Sequence, residues 1–157
     1  MSSGFLLTSF IVVIAPGTGV LYTQAALEFA VKYSEERRQF GRPICEFRGL
    51  QWTIADMATQ LHAARLMSYR AAGNVNEHRV PDAYDTAMAR LFASEMVQKF
   101  TNEAMQICGH FGYATGAPPE RMYRGWRNYA SAAGTLEVLR NVIAAMMRGR
   151  SFKHRRD

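Results

Sequence analysis

The sequence predicts an all-α domain, a four-helix up-and-down bundle, on three observations. Long segments carry apolar residues at helical spacing. The prolines fall near the ends of those segments, at Pro16, Pro43, Pro81 and the pair Pro118-Pro119. Strand signal is confined to one β-branched run, Phe10 to Ile14, with no later run to pair with it. The 157 residues make one domain or slightly more, and 48% apolar against 20% charged residues is globular composition.

Taken in order, the first helix is expected from about Val20 to Arg38. Before it, Phe5 to Ala15 is apolar except for Thr8 and Ser9, and no charged residue precedes Glu28. There is no basic leader, and Pro16-Gly17-Thr18-Gly19 cuts the run short of a membrane span, so a buried first element is expected. Gly17-Thr18-Gly19 reads as a helix break or turn. A dinucleotide fingerprint would need glycine where Tyr22 stands. The second helix, about Gly49 to Val75, aligns Leu50, Ile54, Met57, Leu61, Ala64 and Ser68 on one face. The third, about Asp82 to His110, aligns Met88, Phe92, Met96, Phe100, Ala104, Ile107 and Phe111. The fourth, about Thr135 to Met147, stacks Leu139, Ile143 and Met146. The stretch from Gly109 to Pro119 is expected to be an irregular loop, and loops on regular scaffolds carry function.

The formal charge of +6 is concentrated at one end. Arg148, Arg150, Lys153, Arg155 and Arg156 face only Asp157, so the last ten residues hold most of it. A solvated terminus explains this tail, and neither nucleic acid nor membrane is expected as a partner. Cys45 and Cys108 read as buried free thiols, and His62 as structural. No zinc-ligand spacing, phosphate-binding Gly-rich loop or hydrolase motif is present.

Several motifs share a register. Arg37-Arg38-Gln39-Phe40-Gly41-Arg42-Pro43-Ile44 resembles the R-x-Q-F-G-x-P-I signature of acyl-CoA dehydrogenases. Phe47 to Gln51 resembles the F-Q-x-x-Q that follows, with Arg48 at the first glutamine. Ala55-Asp56-Met57 and Ala63-Ala64-Arg65 match A-D-M and A-A-R. Gln106-Ile107-Cys108-Gly109-His110-Phe111-Gly112-Tyr113 resembles Q-I-x-G-G-x-G-Y, with His110 at the second glycine. Pro119 to Arg124 resembles P-x-E-R-x-Y-R, and Gly134-Thr135-x-Glu137 resembles G-T-x-E.

The resemblance covers residues 20–147 and only the family's carboxy-terminal helical domain. Residues 1–19 are set apart as a divergent apolar segment and 148–157 as a basic tail. The resemblance implies FAD as cofactor. Arg37 would meet its diphosphate and Phe40 would lie against it. Gln106, Ile107, Cys108, Gly109 and His110 would hold the adenine end, and Thr135 and Glu137 would also touch the flavin cofactor. Gly134 would lie toward the substrate. The parent reaction, α,β-dehydrogenation of an acyl-CoA thioester, needs a carboxylate base. One family position for it is Ala133 here; the other, on the first helix, falls in Thr8 to Val12, which holds no acid. The chain alone is therefore expected to be inactive. It would work as a homo-oligomer or with a complementary acyl-CoA dehydrogenase chain, in the cytoplasm or in mitochondria. The alternative is a helical interaction module that has lost the chemistry. His110 is expected to crowd the backbone of the cofactor turn.

Overall fold

The computed structural model describes residues 3–74, 81–131 and 135–150, with the side chains of 3–16 and 128–131 left out of the description. The expected burial of Phe5 to Ala15 thus falls outside the described side chains, as the basic tail beyond Arg150 falls outside the described residues.

Helix α1 spans Ser3–Glu36. It starts well before Val20, and Pro16 and Gly17-Thr18-Gly19 lie inside it rather than breaking it. A proline already has a helix-compatible φ and sacrifices one backbone hydrogen bond, so a long helix can carry it. Gly19 has a packing role: a Cβ there would stand 3.3 Å from the Ala93 Cβ. The missing side chain lets α1 approach the third helix closely, and Ala26 and Ala30 continue that seam, both fully buried.

After α1 the chain turns through a two-residue hairpin. Strands β1 (Arg38–Gln39) and β2 (Arg42–Pro43) pair antiparallel, Gln39 opposite Arg42. The two turn residues both have positive φ, Phe40 at 51° and Gly41 at 80°, as tight hairpin turns require. A short 3-10 helix, Ile44–Glu46, leads into α2 (Arg48–Gly73). Met57, Leu61 and Ala64 of the anticipated seam are buried in α2, while Leu50, Ile54 and Ser68 are half-buried at its margin.

Helix α3 (Ala83–Cys108) is the central element, with Met96, Phe100, Ala104 and Ile107 in the core. Asp82 caps it by accepting a hydrogen bond from the Asp85 backbone N–H at 2.9 Å. Two features differ from the periodicity reading. Phe111 lies beyond the end of α3 and is 45% exposed. Gly109 to Pro119 is not wholly irregular: the short helix α4 (His110–Tyr113) follows Gly109.

The larger difference is α5, Pro118–Ser131, a helix that is not among the four expected from periodicity. Its residues are mostly polar, but Trp126 is buried and Gly125 lies against the Tyr22 hydroxyl. Helices α1, α2, α3 and α5 form the up-down-up-down bundle. Gln24 on α1 accepts from Arg65 on α2, and Asp85 at the start of α3 accepts from Arg70 near the end of α2. The Tyr22 hydroxyl of α1 reaches the Arg121 carbonyl of α5. The segment expected as the fourth bundle helix becomes α6 (Leu136–Met147), which packs on α3 through Leu139 and an Arg140–Glu95 ion pair. Among the described residues no helix is long and apolar enough to cross a membrane, and no cluster of His, Cys, Asp or Glu could hold a metal ion.

Candidate functional site

The ends of α1 and α3 meet at one pole of the bundle and leave an open cleft of about 520 Å³. Arg37 enters it from the residue after α1, held there by backbone bonds on both sides. Its N–H donates to the Tyr33 carbonyl at 2.9 Å, and its carbonyl accepts from the Ile44 N–H at 2.8 Å. Gln39 comes from the hairpin and Ile44 from the 3-10 turn. The far wall is the end of α3 and the turn after it: Ile107, Cys108, Gly109, His110, Phe111 and Ala114.

That turn is built by two glycines. Gly109, at φ 57°, stops α3 and donates to the Gln106 carbonyl at 3.1 Å. Gly112 fits under α3: a Cβ on it would stand 2.6 Å from the Met105 carbonyl oxygen. His110 occupies the first residue of α4 with no positive φ, so the turn takes a side chain there without backbone strain. The crowding expected of it is absent from the backbone, because Gly109 alone makes the reversal.

The cleft offers three kinds of group. Tyr33 and Phe111 stack with ring centroids 5.5 Å apart and planes within 7°. Arg37 supplies a guanidinium and His110 an imidazole. Among the described residues no carboxylate lines the walls. The Cys108 thiol is pushed up to about 11 by burial, so it stays neutral and unreactive.

The other anticipated residues fall elsewhere. Gln106 is exposed and does not line the cleft. Phe40 stands at the hairpin tip, 92% exposed and edge-on to Phe47 at 6.2 Å. An aromatic residue in a left-handed turn, pointing at water, serves neither the backbone nor the core. Arg42 lies over the Phe47 ring at 4.2 Å and fixes the hairpin's base. Thr135 and Glu137 line a second recess of about 630 Å³ with Glu95, Gln98, Trp126, Arg127, Leu136 and Arg140. The Glu137 carboxyl is held below its usual range, first by its own backbone N–H and then by the Thr135 hydroxyl. Ala133 and Gly134 lie outside the described residues. His62 is exposed, Cys108 is buried and Cys45 half-buried, and both thiols are free.

Residues 14–147 match the sequence profile of the acyl-CoA dehydrogenase C-terminal domain. The chain belongs to the acyl-CoA dehydrogenase family. It is 44% identical over 134 residues to a 3-sulfinopropanoyl-CoA desulfinase of Paraburkholderia xenovorans, covering 85% of this chain and 34% of that protein. It is 45% identical over 122 residues to the mitochondrial short-chain specific acyl-CoA dehydrogenase of Sus scrofa, covering 78% of this chain and 30% of that one. Butyryl-CoA dehydrogenase of Megasphaera elsdenii superposes with a TM-score of 0.84 at 32% identity, over 94% of this chain and 39% of the other. The chain thus spans about a third of the length of the curated relatives it matches. Within this acyl-CoA dehydrogenase domain, the cleft also takes Tyr33, Gln39, Ile44, Phe111 and Ala114, which the sequence reading does not single out as site residues. Tyr33 was legible, since it lies one helical turn before Arg37. Gln39 and Ile44 stand inside the R-x-Q-F-G-x-P-I motif, and Phe111 falls in register with the apolar face of α3.

Proposed function

We propose that this chain is the FAD-contacting, subunit-assembling domain of an acyl-CoA dehydrogenase-like flavoprotein. The observation that carries the reading is the cleft itself. Arg37 and the Ile107 to His110 turn come from distant parts of the sequence and line one carboxylate-free space beside an aromatic stack. These groups fit an adenosine diphosphate moiety. A guanidinium pairs with phosphate oxygens, and a flat ring surface suits a purine. Arg37 would hold the diphosphate, Gly109 and His110 would bound it, and Phe40 would reach the cofactor from the hairpin tip. The exposed Gln106 would meet it from outside the cleft. Thr135 and Glu137 would contact FAD in the second recess, with Gly134 toward the substrate.

FAD supplies hydride acceptance when bound. The residues here position it and contribute no base, since Ala133 cannot take a proton. The two recesses use α3 residues Glu95 and Ile107, about 18 Å apart along the helix at 1.5 Å per residue. That separation supports an assembly in which the cleft and the recess of one copy serve different cofactor molecules, each completed by another copy. A homo-oligomer, or a complementary chain bearing the acyl-CoA pocket, completes the site. The proposed compartment is the cytoplasm, or the mitochondrion as named for the Sus scrofa relative.

The test is a FAD titration of the purified chain read with its mass in solution. FAD binding together with a dimer or larger supports the reading. Association without any FAD affinity favours the interaction-module alternative.

A second reading of the substrate has its own observation. A relative at 44% identity is named a desulfinase, and Ala133 leaves the dehydrogenase base unfilled at that position. An assembly that released sulfite from 3-sulfinopropanoyl-CoA, and did not oxidise butyryl-CoA with an electron acceptor, would establish it.

A further inference from the structure

Resting on the FAD half-site reading, we infer that His110 is a specificity-determining residue of the diphosphate cleft, adding a protonatable cation beside Arg37 so that FAD is held more tightly as pH falls. The sequence motif that this turn resembles has glycine at this position; this chain places an imidazole there. The structure shows what the exchange does. His110 begins α4, is exposed, and lines the same cleft as Arg37. Gly109 carries the left-handed conformation, so the imidazole is present without a strained backbone.

The electrostatics of the walls make its charge effective. The titratable groups lining the cleft are Tyr33 from α1, Arg37 just after it, Cys108 from α3, and His110 itself. Cys108 stays uncharged, since burial raises it to about 11. Of the hairpin and the 3-10 turn, Gln39 and Ile44 line it, while their charged residues Arg38, Arg42 and Glu46 do not. The acids on the surrounding elements do not line the cleft. Glu36 of α1 pairs with Lys32 at 4.0 Å. Glu120 of α5 accepts from Arg124 at 2.8 Å and from the Gly116 N–H at 3.3 Å. Glu103 of α3, and Arg121 on α5, lie outside the lining. Among the described residues an imidazolium at His110 therefore meets no carboxylate in the cleft, and an anionic ligand is its available counter-charge. Histidine is the side chain whose charge changes across the physiological range. The diphosphate of FAD is a diester whose own charge is constant there, so the ligand does not contribute the pH dependence.

The experiment is a FAD titration of the full chain at about pH 5.5 and about pH 8.5, repeated with His110→Gln, His110→Gly and, as a control, His62→Gln. The wild-type chain and His62→Gln should bind about three- to ten-fold more tightly at the lower pH. His110→Gln and His110→Gly should lose that ratio and keep the affinity of the higher pH. Far-ultraviolet circular dichroism at both pH values shows that each variant is folded. A ratio retained in His110→Gln overturns the role of His110 and leaves the half-site reading standing. No FAD binding by the wild-type chain at either pH overturns both.

Discussion

Tyr33 and Phe111 lie face to face, with ring centroids 5.5 Å apart and planes within 7°, and so join the last turn of α1 to the turn after α3. Phe29, one turn before Tyr33 on α1, also stacks with Phe111 at 6.4 Å. Both rings of the Tyr33–Phe111 pair line the Arg37 cleft. Phe111→Ala is expected to cost about 1–2 kcal/mol, below the figure for a fully buried ring because Phe111 is 45% exposed. FAD affinity should fall with it. A thermal melt beside a FAD titration measures both.

Arg37→Gln separates binding from folding. The side chain is exposed and the backbone bonds of residue 37 do not depend on it. The melting temperature should stay within a degree or two, while FAD affinity drops about ten- to a hundred-fold through loss of a charge-assisted pair. Equal affinity in the variant would remove Arg37 from the site.

Phe40 predicts the opposite sign. Its φ of 51° is a conformation that glycine adopts freely, and a β-carbon there costs about 1 kcal/mol. The ring is 92% exposed, so little packing is lost with it. Phe40→Gly should leave stability unchanged or raised in chemical denaturation and should weaken FAD binding. Stability bought at the expense of binding is the signature of a contact residue in a strained turn.

Gly112→Ala tests the turn. A Cβ would stand 2.6 Å from the Met105 carbonyl oxygen and 2.9 Å from the Cys108 Cβ, and backbone cannot yield as a side-chain tip can. A loss of about 2–3 kcal/mol is expected. Gly125→Ala should be milder, because it meets only the movable end of Tyr22. Urea midpoints of the two variants give the comparison.

Acid should loosen the joint between α2 and α3. The buried Asp85 carboxylate accepts from Asn74 at 2.9 Å and pairs with Arg70 at 3.1 Å. Its pKa is lowered, first by the Asn74 hydrogen bond, with burial opposing and Arg70 assisting. A depressed folded-state value contributes stability that is present above the unfolded pKa of about 3.9 and lost as pH falls through the folded one. Asp85→Asn should cost about 1–2 kcal/mol at neutral pH and should flatten the stability curve below about pH 4. Denaturation midpoints from about pH 3 to 7 show it.

The sequence by itself determined the helical class and three bundle helices, and it marked Arg37 and Gln106 to His110 as motif residues, of which Arg37 and Ile107 to His110 line one cleft. It could do so because apolar spacing and glycine turns are local properties of the chain. Met57, Leu61 and Ala64 face the core for that reason, as do Met96, Phe100 and Ala104. Tertiary structure decided the rest. Helix α5 is polar along most of its length and gains its place from Trp126 and from Gly125 against Tyr22, contacts between residues far apart in sequence. Helix α1 runs through Pro16 and Gly17-Thr18-Gly19 although these residues read locally as a break, and Gly19 lies where α1 meets Ala93 of α3. The division of the motif residues into one cleft around Arg37 and a second recess around Thr135 was equally hidden, since motifs give order along the chain and packing gives distance. His110 shows both sides: the sequence marks it as a departure, and only the fold places its imidazole on the Arg37 cleft with no carboxylate on the walls.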